Sequence, residues 1–135
     1  MNMKRLIAIL LLATVSILTV SCSTDSNAKA IKELVSDKEG TYAGYLFWNT
    51  DSDLTSLNEE LLGIVNSDQV MSSIQFSKMN VISMNDESQK YNYVKLFDIE
   101  KSPTLLIFDT EKLILKTSDL NDVYKLANEL KEENK

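Results

Sequence analysis

The chain of 135 residues has no histidine, and Cys22 is its one cysteine. These absences exclude a Cys–His nucleophile pair, an internal disulfide, a dithiol redox centre and a zinc finger. Basic residues are also few, since 14 Lys and Arg stand against 20 Asp and Glu, for a formal charge of −6. This balance argues against nucleic acid as a partner and against a polybasic attraction to anionic lipid. The acidic residues form no Asp-x-Asp-x-Asp-Gly calcium loop, so neither a metal nor a cofactor is predicted.

The N-terminus has the pattern of an export signal. Lys4 and Arg5 precede an apolar stretch over residues 6–20. As a helix this stretch would span about 22 Å, which is short of the roughly 30 Å of a bilayer core. The pattern is therefore typical of a cleaved signal peptide. An ordinary secretory signal with an incidental cysteine and an uncleaved anchor are the alternatives.

Residues 18–22, Leu-Thr-Val-Ser-Cys, resemble the bacterial lipobox, with Thr19 where Leu is most frequent. The resemblance implies a bacterial lipoprotein in which Cys22 receives diacylglycerol, often a further acyl chain such as palmitate, and becomes the mature N-terminus. More than one acyl chain is what stable membrane anchoring requires. We therefore predict a signal peptide at 1–21, a lipidated cysteine with a short polar tether at 22–27, and one domain at 28–135. The domain would stand at the extracytoplasmic face of the cell membrane, within the cell envelope.

Beyond the tether, helical and strand patterns alternate along the chain. Apolar residues at helical spacing predict helices at 28–35, 54–65 and 120–130, and a shorter helical stretch at 91–97. Apolar, β-rich runs predict a central strand at 41–48, a second buried strand at 80–84, and a strand at 102–108 that a turn joins to a hairpin partner at 112–116. Residues 66–78 fit either strand or helix. This order predicts an α/β fold with a mixed sheet between helices.

Polar residues before two of these helices are candidate N-caps. We expect Asp51 or Ser52 to cap the helix at 54–65, and Ser118 or Asp119 to cap the last helix. Tyr91 and Tyr93 alternate and are candidates for an exposed, partner-contacting edge.

Three segments resemble the thioredoxin-like family: Tyr45-Leu46-Phe47-Trp48 before a helix, the stretch 97–108 with Ser102-Pro103-Thr104 before an apolar strand, and the final hairpin and helix. The resemblance covers residues 41–132 and implies a thioredoxin-like sheet flanked by helices, a C-terminal β-hairpin and helix, and a cis-proline at Pro103. In this family a Cys-x-x-Cys motif follows the aromatic strand. Here Ser52 and Thr55 stand at the two cysteine positions. A hydroxyl neither ionises usefully nor forms a disulfide, so the resemblance implies a redox-inactive domain.

The residues at this place have alternative roles. Ser52 and Thr55 are either part of a helix cap or nucleophiles that would need Asp51, Asp53 or Lys101 as a base. Trp48 is a core or rim aromatic, or a platform for a ligand.

Pro103 also has two interpretations. It makes a rigid entry to the strand, or it forms a turn that presents the Ser102 backbone to an extended peptide by strand addition. Trp48, Ser52, Thr55, Ser102 and Pro103 are therefore the candidate partner-binding residues.

Together these features predict a non-catalytic lipoprotein whose domain is a protein-binding or adaptor module. Its partners would be membrane lipid, through acylated Cys22, and a protein or extended peptide near Ser102 and Pro103. The alternative is a structural lipoprotein associated with peptidoglycan in the cell wall. A non-thiol enzyme or a redox accessory protein is a third hypothesis, and the accessory role would need a partner that supplies both cysteines.

Overall fold

The computed structural model describes residues 21–135, with side chains from residue 25 onward. The predicted signal peptide, apart from Ser21, and the side chain of Cys22 lie outside the described part. The elements are α1 (Ser21–Leu34), β1 (Tyr42–Trp48), α2 (Leu54–Val65), α3 (Asp68–Met71), β2 (Phe76–Ser83), α4 (Tyr93–Leu96), β3 (Thr104–Phe108), β4 (Leu113–Thr117) and α5 (Asp122–Glu133). None of the helices in residues 21–135 has both the length and the apolarity that a bilayer crossing requires.

The four strands form one mixed sheet in the order β2-β1-β3-β4. β1 pairs with β2 in parallel, while β3 is antiparallel to both β1 and β4. The parallel pair is joined through α2 and α3, β3 and β4 form a hairpin, and α5 closes the chain. The bond between Ser102 and Pro103 is cis. The predicted fold class is confirmed: a thioredoxin-like mixed sheet flanked by helices, with a C-terminal hairpin and helix.

The sheet is covered by apolar side chains on both faces of its two central strands. All five residues of β3 are buried, as are the five inner residues of β1. This burial explains why both strands have continuous apolar runs rather than alternation. One face packs against α2, α3 and α5 through buried aliphatic residues: Leu46, Leu57, Leu61, Ile64, Val70, Leu105, Ile107, Val123 and Leu126.

The other face carries a cluster of aromatic rings that includes Tyr45, Phe47, Tyr93, Phe97 and Phe108. The centroids of Tyr45 and Phe108 lie 5.8 Å apart, and Phe97 meets Phe108 at 5.7 Å. Tyr93 contacts Phe47 at 6.3 Å and Phe97 at 6.4 Å. Aromatic pairs in edge-to-face or offset-stacked arrangements stabilise a fold beyond the contribution of the apolar area that they bury. The prediction of an exposed edge at Tyr91 and Tyr93 is therefore wrong for Tyr93, which is buried in this cluster.

The second strand is longer and less buried than the sequence indicates. The prediction of a buried strand at 80–84 is wrong, because β2 spans Phe76–Ser83 and none of its residues is fully buried. β2 lies at the edge of the sheet and pairs with β1 alone, so one of its long sides has no neighbouring strand. The undecided stretch 66–78 contains α3 and the first residues of β2.

The helix starts also differ from expectation. Asp53 caps α2, rather than Asp51 or Ser52, and accepts a hydrogen bond from the Thr55 N–H. Asn121 precedes α5 in place of Ser118 or Asp119 and makes no side-chain capping bond.

Helical structure also extends into the segment predicted as a tether. Residues 23–27 lie within α1, which begins at Ser21. A helical residue advances the chain by about 1.5 Å instead of about 3.5 Å. This segment is therefore much shorter than an extended tether would be.

Candidate functional site

Two hydroxyl groups meet where β1 ends and β3 begins. Phe47 pairs with Thr104 across the antiparallel strands, so the residues after β1 and those before β3 lie at the same end of the sheet. There the Ser52 and Ser102 Oγ atoms lie 2.8 Å apart, both in half-buried side chains. The structure thus brings together two of the predicted site residues, which are 50 positions apart in sequence.

The turn after β1 holds this pair in place. The Asp51 N–H donates to Asn49 Oδ1 at 2.8 Å, and the Ser52 N–H donates to the Asn49 carbonyl at 3.1 Å. Asn49 in turn donates its own N–H to Ser102 Oγ at 2.9 Å. Asparagine and aspartate commonly make such local bonds in turns. The loop after β1 is therefore fastened to the turn before β3 through the Ser102 hydroxyl.

Thr55, the other residue at a predicted cysteine position, does not join the hydroxyl pair. Its side chain is exposed, and its backbone N–H donates to Asp53 Oδ1 at 3.0 Å. Ser56 Oγ donates to Asp53 Oδ2 at 2.8 Å. The Ser56 hydroxyl, followed by the Thr55 amide, lowers the pKa of the exposed Asp53 carboxyl below its ordinary value. Asp53 therefore serves as the ionised cap of α2.

Within the described residues, neither hydroxyl of the pair is bonded to a base that could activate it as a nucleophile. Among residues 25–135, no carboxylate or amine is hydrogen-bonded to Ser52 or Ser102. Asp53, one candidate base, is held as a cap with a lowered pKa, which makes it a weak proton acceptor. The same residues contain no group of three His, Cys, Asp or Glu side chains arranged to hold a metal ion. The bonds that this geometry does show join the loop after β1 to the turn before β3.

The turn at Ser102 and Pro103 is bonded on both sides, but two of its backbone groups have no partner among the described residues. Thr104 Oγ1 donates to the Lys101 carbonyl at 2.7 Å, which closes the turn from the strand side. The Ser102 N–H and C=O make no hydrogen bond within the described part of the chain. Both Ser102 and Pro103 are half-buried. Backbone groups of this kind require a partner, either water or another chain.

Trp48 forms the rim of this site. Its side chain is half-buried and packs against the aliphatic core, as expected of a rim aromatic. Its carbonyl accepts the Met84 N–H at 2.8 Å, which ties the end of β1 to the chain that leaves β2.

A cavity that the sequence did not predict lies next to the hydrogen bond between Met84 and Trp48. Its volume is about 470 Å³, and it is lined by residues from the end of β2, the loop 84–92 and the aromatic cluster. Residues 85–88 are polar, and nothing in their pattern indicates a concave surface. The alternation of Tyr91 and Tyr93 was the nearest signal.

No family model matches this chain, and no curated protein matches it in sequence. Among solved structures, it is similar to thioredoxin from Malassezia sympodialis, with 14% identity, coverage of 73% of this chain and 81% of the other, and a TM-score of 0.49. It is also similar to mitochondrial thioredoxin 3 from Saccharomyces cerevisiae in its oxidised form, with 13% identity, coverage of 81% and 89%, and a TM-score of 0.48. The mixed four-stranded sheet flanked by helices, with its C-terminal hairpin and helix, is the thioredoxin-like fold of this domain.

Proposed function

We propose that this protein is a membrane-anchored lipoprotein whose thioredoxin-like domain binds an extracytoplasmic protein through the turn at Ser102 and Pro103. One observation carries the proposal. The Ser102 hydroxyl is hydrogen-bonded to Asn49 and Ser52, whereas the Ser102 N–H and C=O have no hydrogen-bond partner in residues 25–135. A rigid backbone segment with unsatisfied polar groups suits an extended segment that adds to it as a strand does. The expected partner is therefore an extended stretch of another protein.

The hydroxyl pair supports binding without catalysis. Ser52 contacts Ser102 instead of a base, and the chain's single thiol belongs to Cys22. Thiol–disulfide exchange needs a thiolate at the site, and a nucleophilic serine needs a base within hydrogen-bond reach. We therefore assign the domain a binding role and no enzymatic one.

Membrane attachment is the second part of the proposal and is supported by the lipobox-like residues 18–22. Replacing Cys22 by Ser removes the thiol that would accept diacylglycerol. In cells fed labelled fatty acid, the variant should lose the label and leave the membrane fraction, while Ser23→Ala keeps both. Retention of the label by Cys22→Ser would contradict the assigned anchor.

Partner binding is tested by photo-crosslinking in living cells. Thr50 and Lys101 are exposed and flank the two loops of the site. A photo-reactive residue at either position should give one discrete protein adduct, whereas the same residue at Lys131, exposed on α5, should give none. With the probe at Thr50, Lys101→Glu should weaken the adduct and Thr55→Ala should leave it unchanged.

The opposite ranking of the two variants would contradict binding at the turn. So would the absence of an adduct from both positions in a correctly exported and lipidated protein. Sedimentation of that protein with purified wall material would then favour a structural lipoprotein of the cell wall.

A further inference from the structure

The cavity beside the end of β2 has the dimensions of a ligand site. Its volume of about 470 Å³ lies within the roughly 300–1,000 Å³ that is typical of binding pockets. The buried rings of Phe47 and Tyr93 and the half-buried ring of Tyr91 contribute to its lining. These rings offer an apolar surface against which an alkyl chain can pack.

The charged groups in the lining are all acidic. Asp86 and Glu87 border the cavity, and its lining contains no Lys or Arg. Asp86 accepts hydrogen bonds from the Ser88 N–H at 2.9 Å and from Gln89 Nε2 at 2.7 Å, which hold the loop in shape. Glu87 is exposed and makes no hydrogen bond or ion pair within residues 25–135. Asp86 and Glu87 outnumber Lys90, the cation that lies over the Tyr91 ring of the lining, so the charge around the cavity is negative on balance and favours a cation.

One ring of the lining already attracts a cation of this chain. Lys90 Nζ lies 5.2 Å from the centroid of the Tyr91 ring. This is within the roughly 6 Å at which an ammonium or guanidinium group is attracted to the face of a ring. A ligand with an alkyl stem and a cationic head would match both the rings and the carboxylates.

The position of the cavity connects it to the turn at Ser102. Ser83, at the end of β2, pairs with Trp48, and the Met84 N–H donates to the Trp48 carbonyl. The next residue, Asn49, is bonded to Ser102. The cavity and the turn therefore lie at the same end of the sheet, joined through Trp48 and Asn49, whose backbone is bonded to Met84 on one side and to the Ser102 hydroxyl on the other. A chain bound at the turn would reach the cavity if it ran toward β2.

We propose that this cavity binds an arginine or lysine side chain of the partner protein. The rings would pack against the aliphatic stem, and Asp86 and Glu87 would face the cationic head. The inference rests on the proposed function, because the protein bound at the turn supplies the side chain. It adds the chemistry by which that partner is recognised: a basic residue within the bound segment.

The test uses the full chain in detergent and two small probes of the same shape. Nα-acetyl-arginine methylamide carries the guanidinium, and Nα-acetyl-citrulline methylamide replaces it with a neutral urea. With isotope-labelled tyrosine, the arginine probe should shift the ring resonances of Tyr91 and Tyr93 and bind about tenfold more tightly than the citrulline probe. Added salt should weaken the binding, because the carboxylates are at the surface.

Matched variants then locate the charge that is recognised. Glu87→Gln should weaken binding of the arginine probe about three- to tenfold. Glu129→Gln makes the same change in charge on exposed α5 and should have no effect. Equal binding of the two probes, equal effects of the two variants, or no ring shift at any probe concentration would each overturn the proposal. Tighter binding of spermidine than of the arginine probe would overturn the assignment to a protein side chain.

This experiment is independent of the crosslinking test. If the arginine probe binds at Tyr91 but no adduct forms from Thr50 or Lys101, the cavity is a cation site and docking at the turn is wrong. If the adduct forms and the arginine probe does not bind, the turn binds its partner and the assignment of the cavity is wrong.

Discussion

Replacing Ser102 by Ala removes the hydroxyl that joins the end of β1 to the start of β3. Ser102 Oγ accepts the Asn49 N–H at 2.9 Å and lies 2.8 Å from Ser52 Oγ. An ordinary hydrogen bond contributes about 1 kcal/mol net to the free energy of unfolding. Ser102→Ala loses both bonds and should lower that free energy by about 2 kcal/mol, while Ser52→Ala loses one bond and about 1 kcal/mol.

A double-mutant cycle separates this pair from independent effects. The Ser52–Ser102 bond is common to both single variants, so the double variant loses it only once. Ser52→Ala with Ser102→Ala should therefore cost about 2 kcal/mol, not about 3, which is a coupling energy of about 1 kcal/mol. Thr55→Ala is the control, because its exposed hydroxyl makes no bond in the described chain, and its effect should stay within about 0.5 kcal/mol.

Urea unfolding followed by the fluorescence of Trp48 measures these differences, since Trp48 is the chain's single tryptophan and adjoins Asn49. The urea concentration at the midpoint of unfolding should fall in the destabilised variants, while the slope of the free energy of unfolding against urea stays constant. Additive costs of the two serine substitutions would refute the hydroxyl pair. A loss for Ser52→Ala as large as that for Ser102→Ala would refute the central position of the Ser102 hydroxyl.

Two further predictions concern stability. The pKa of Asp53 is lowered by its bonds from Ser56 and Thr55, so the carboxylate stabilises the fold above its unfolded pKa, and that stability is lost as pH falls through its folded pKa. When unfolding is measured as a function of pH, Asp53→Asn should be less stable than the parent at neutral pH, and the two proteins should become equally stable in acid. A difference in the free energy of unfolding that does not change with pH would contradict the role of Asp53 as an ionised cap. In Gly44→Ala, the new Cβ would meet the end of the Met79 side chain, which is flexible and half-buried and can move aside, so the free energy of unfolding should fall by only about 1 kcal/mol. Adding Met79→Ala should cost less than the sum of the two single changes, and additivity would contradict this contact.

The elements that the sequence predicted best are those whose burial has a local pattern. β1 and β3 are continuous apolar runs because both faces of these two central strands are buried. α2 was recognisable because Leu57, Leu61 and Ile64 recur on its buried side. The edge position of β2 was not recognisable from the sequence, because strand order depends on pairing between distant segments. In addition, an edge strand of mixed composition has a sequence pattern similar to that of a buried strand of the same length.

Local competition between caps also limited the prediction. Asp51, Ser52 and Asp53 all precede α2, and each is a good N-cap by type. Asp53 takes that role, while the Asn49 turn directs Ser52 toward Ser102. The outcome depends on the chain beyond the helix, because Ser102 offers Ser52 a partner that the local sequence does not contain. Tyr93 shows the same effect, since its burial comes from Phe47 and Phe97.

The chemical groups of this protein and the order of its elements follow from its amino-acid sequence alone. It has one thiol, at Cys22, hydroxyls at positions 52 and 55, and an alternation of helix and strand that ends in a hairpin and a helix. Which of these groups meet depends on how distant parts of the chain pack: the hydroxyls of Ser52 and Ser102 form a pair, Thr55 stays apart, and the loop after β2 lines a cavity together with the aromatic cluster. The physical reason is the separation in sequence of the residues that interact. Periodicity and capping are properties of neighbouring residues, whereas a site is made by strand pairing and packing between segments that are distant in the chain.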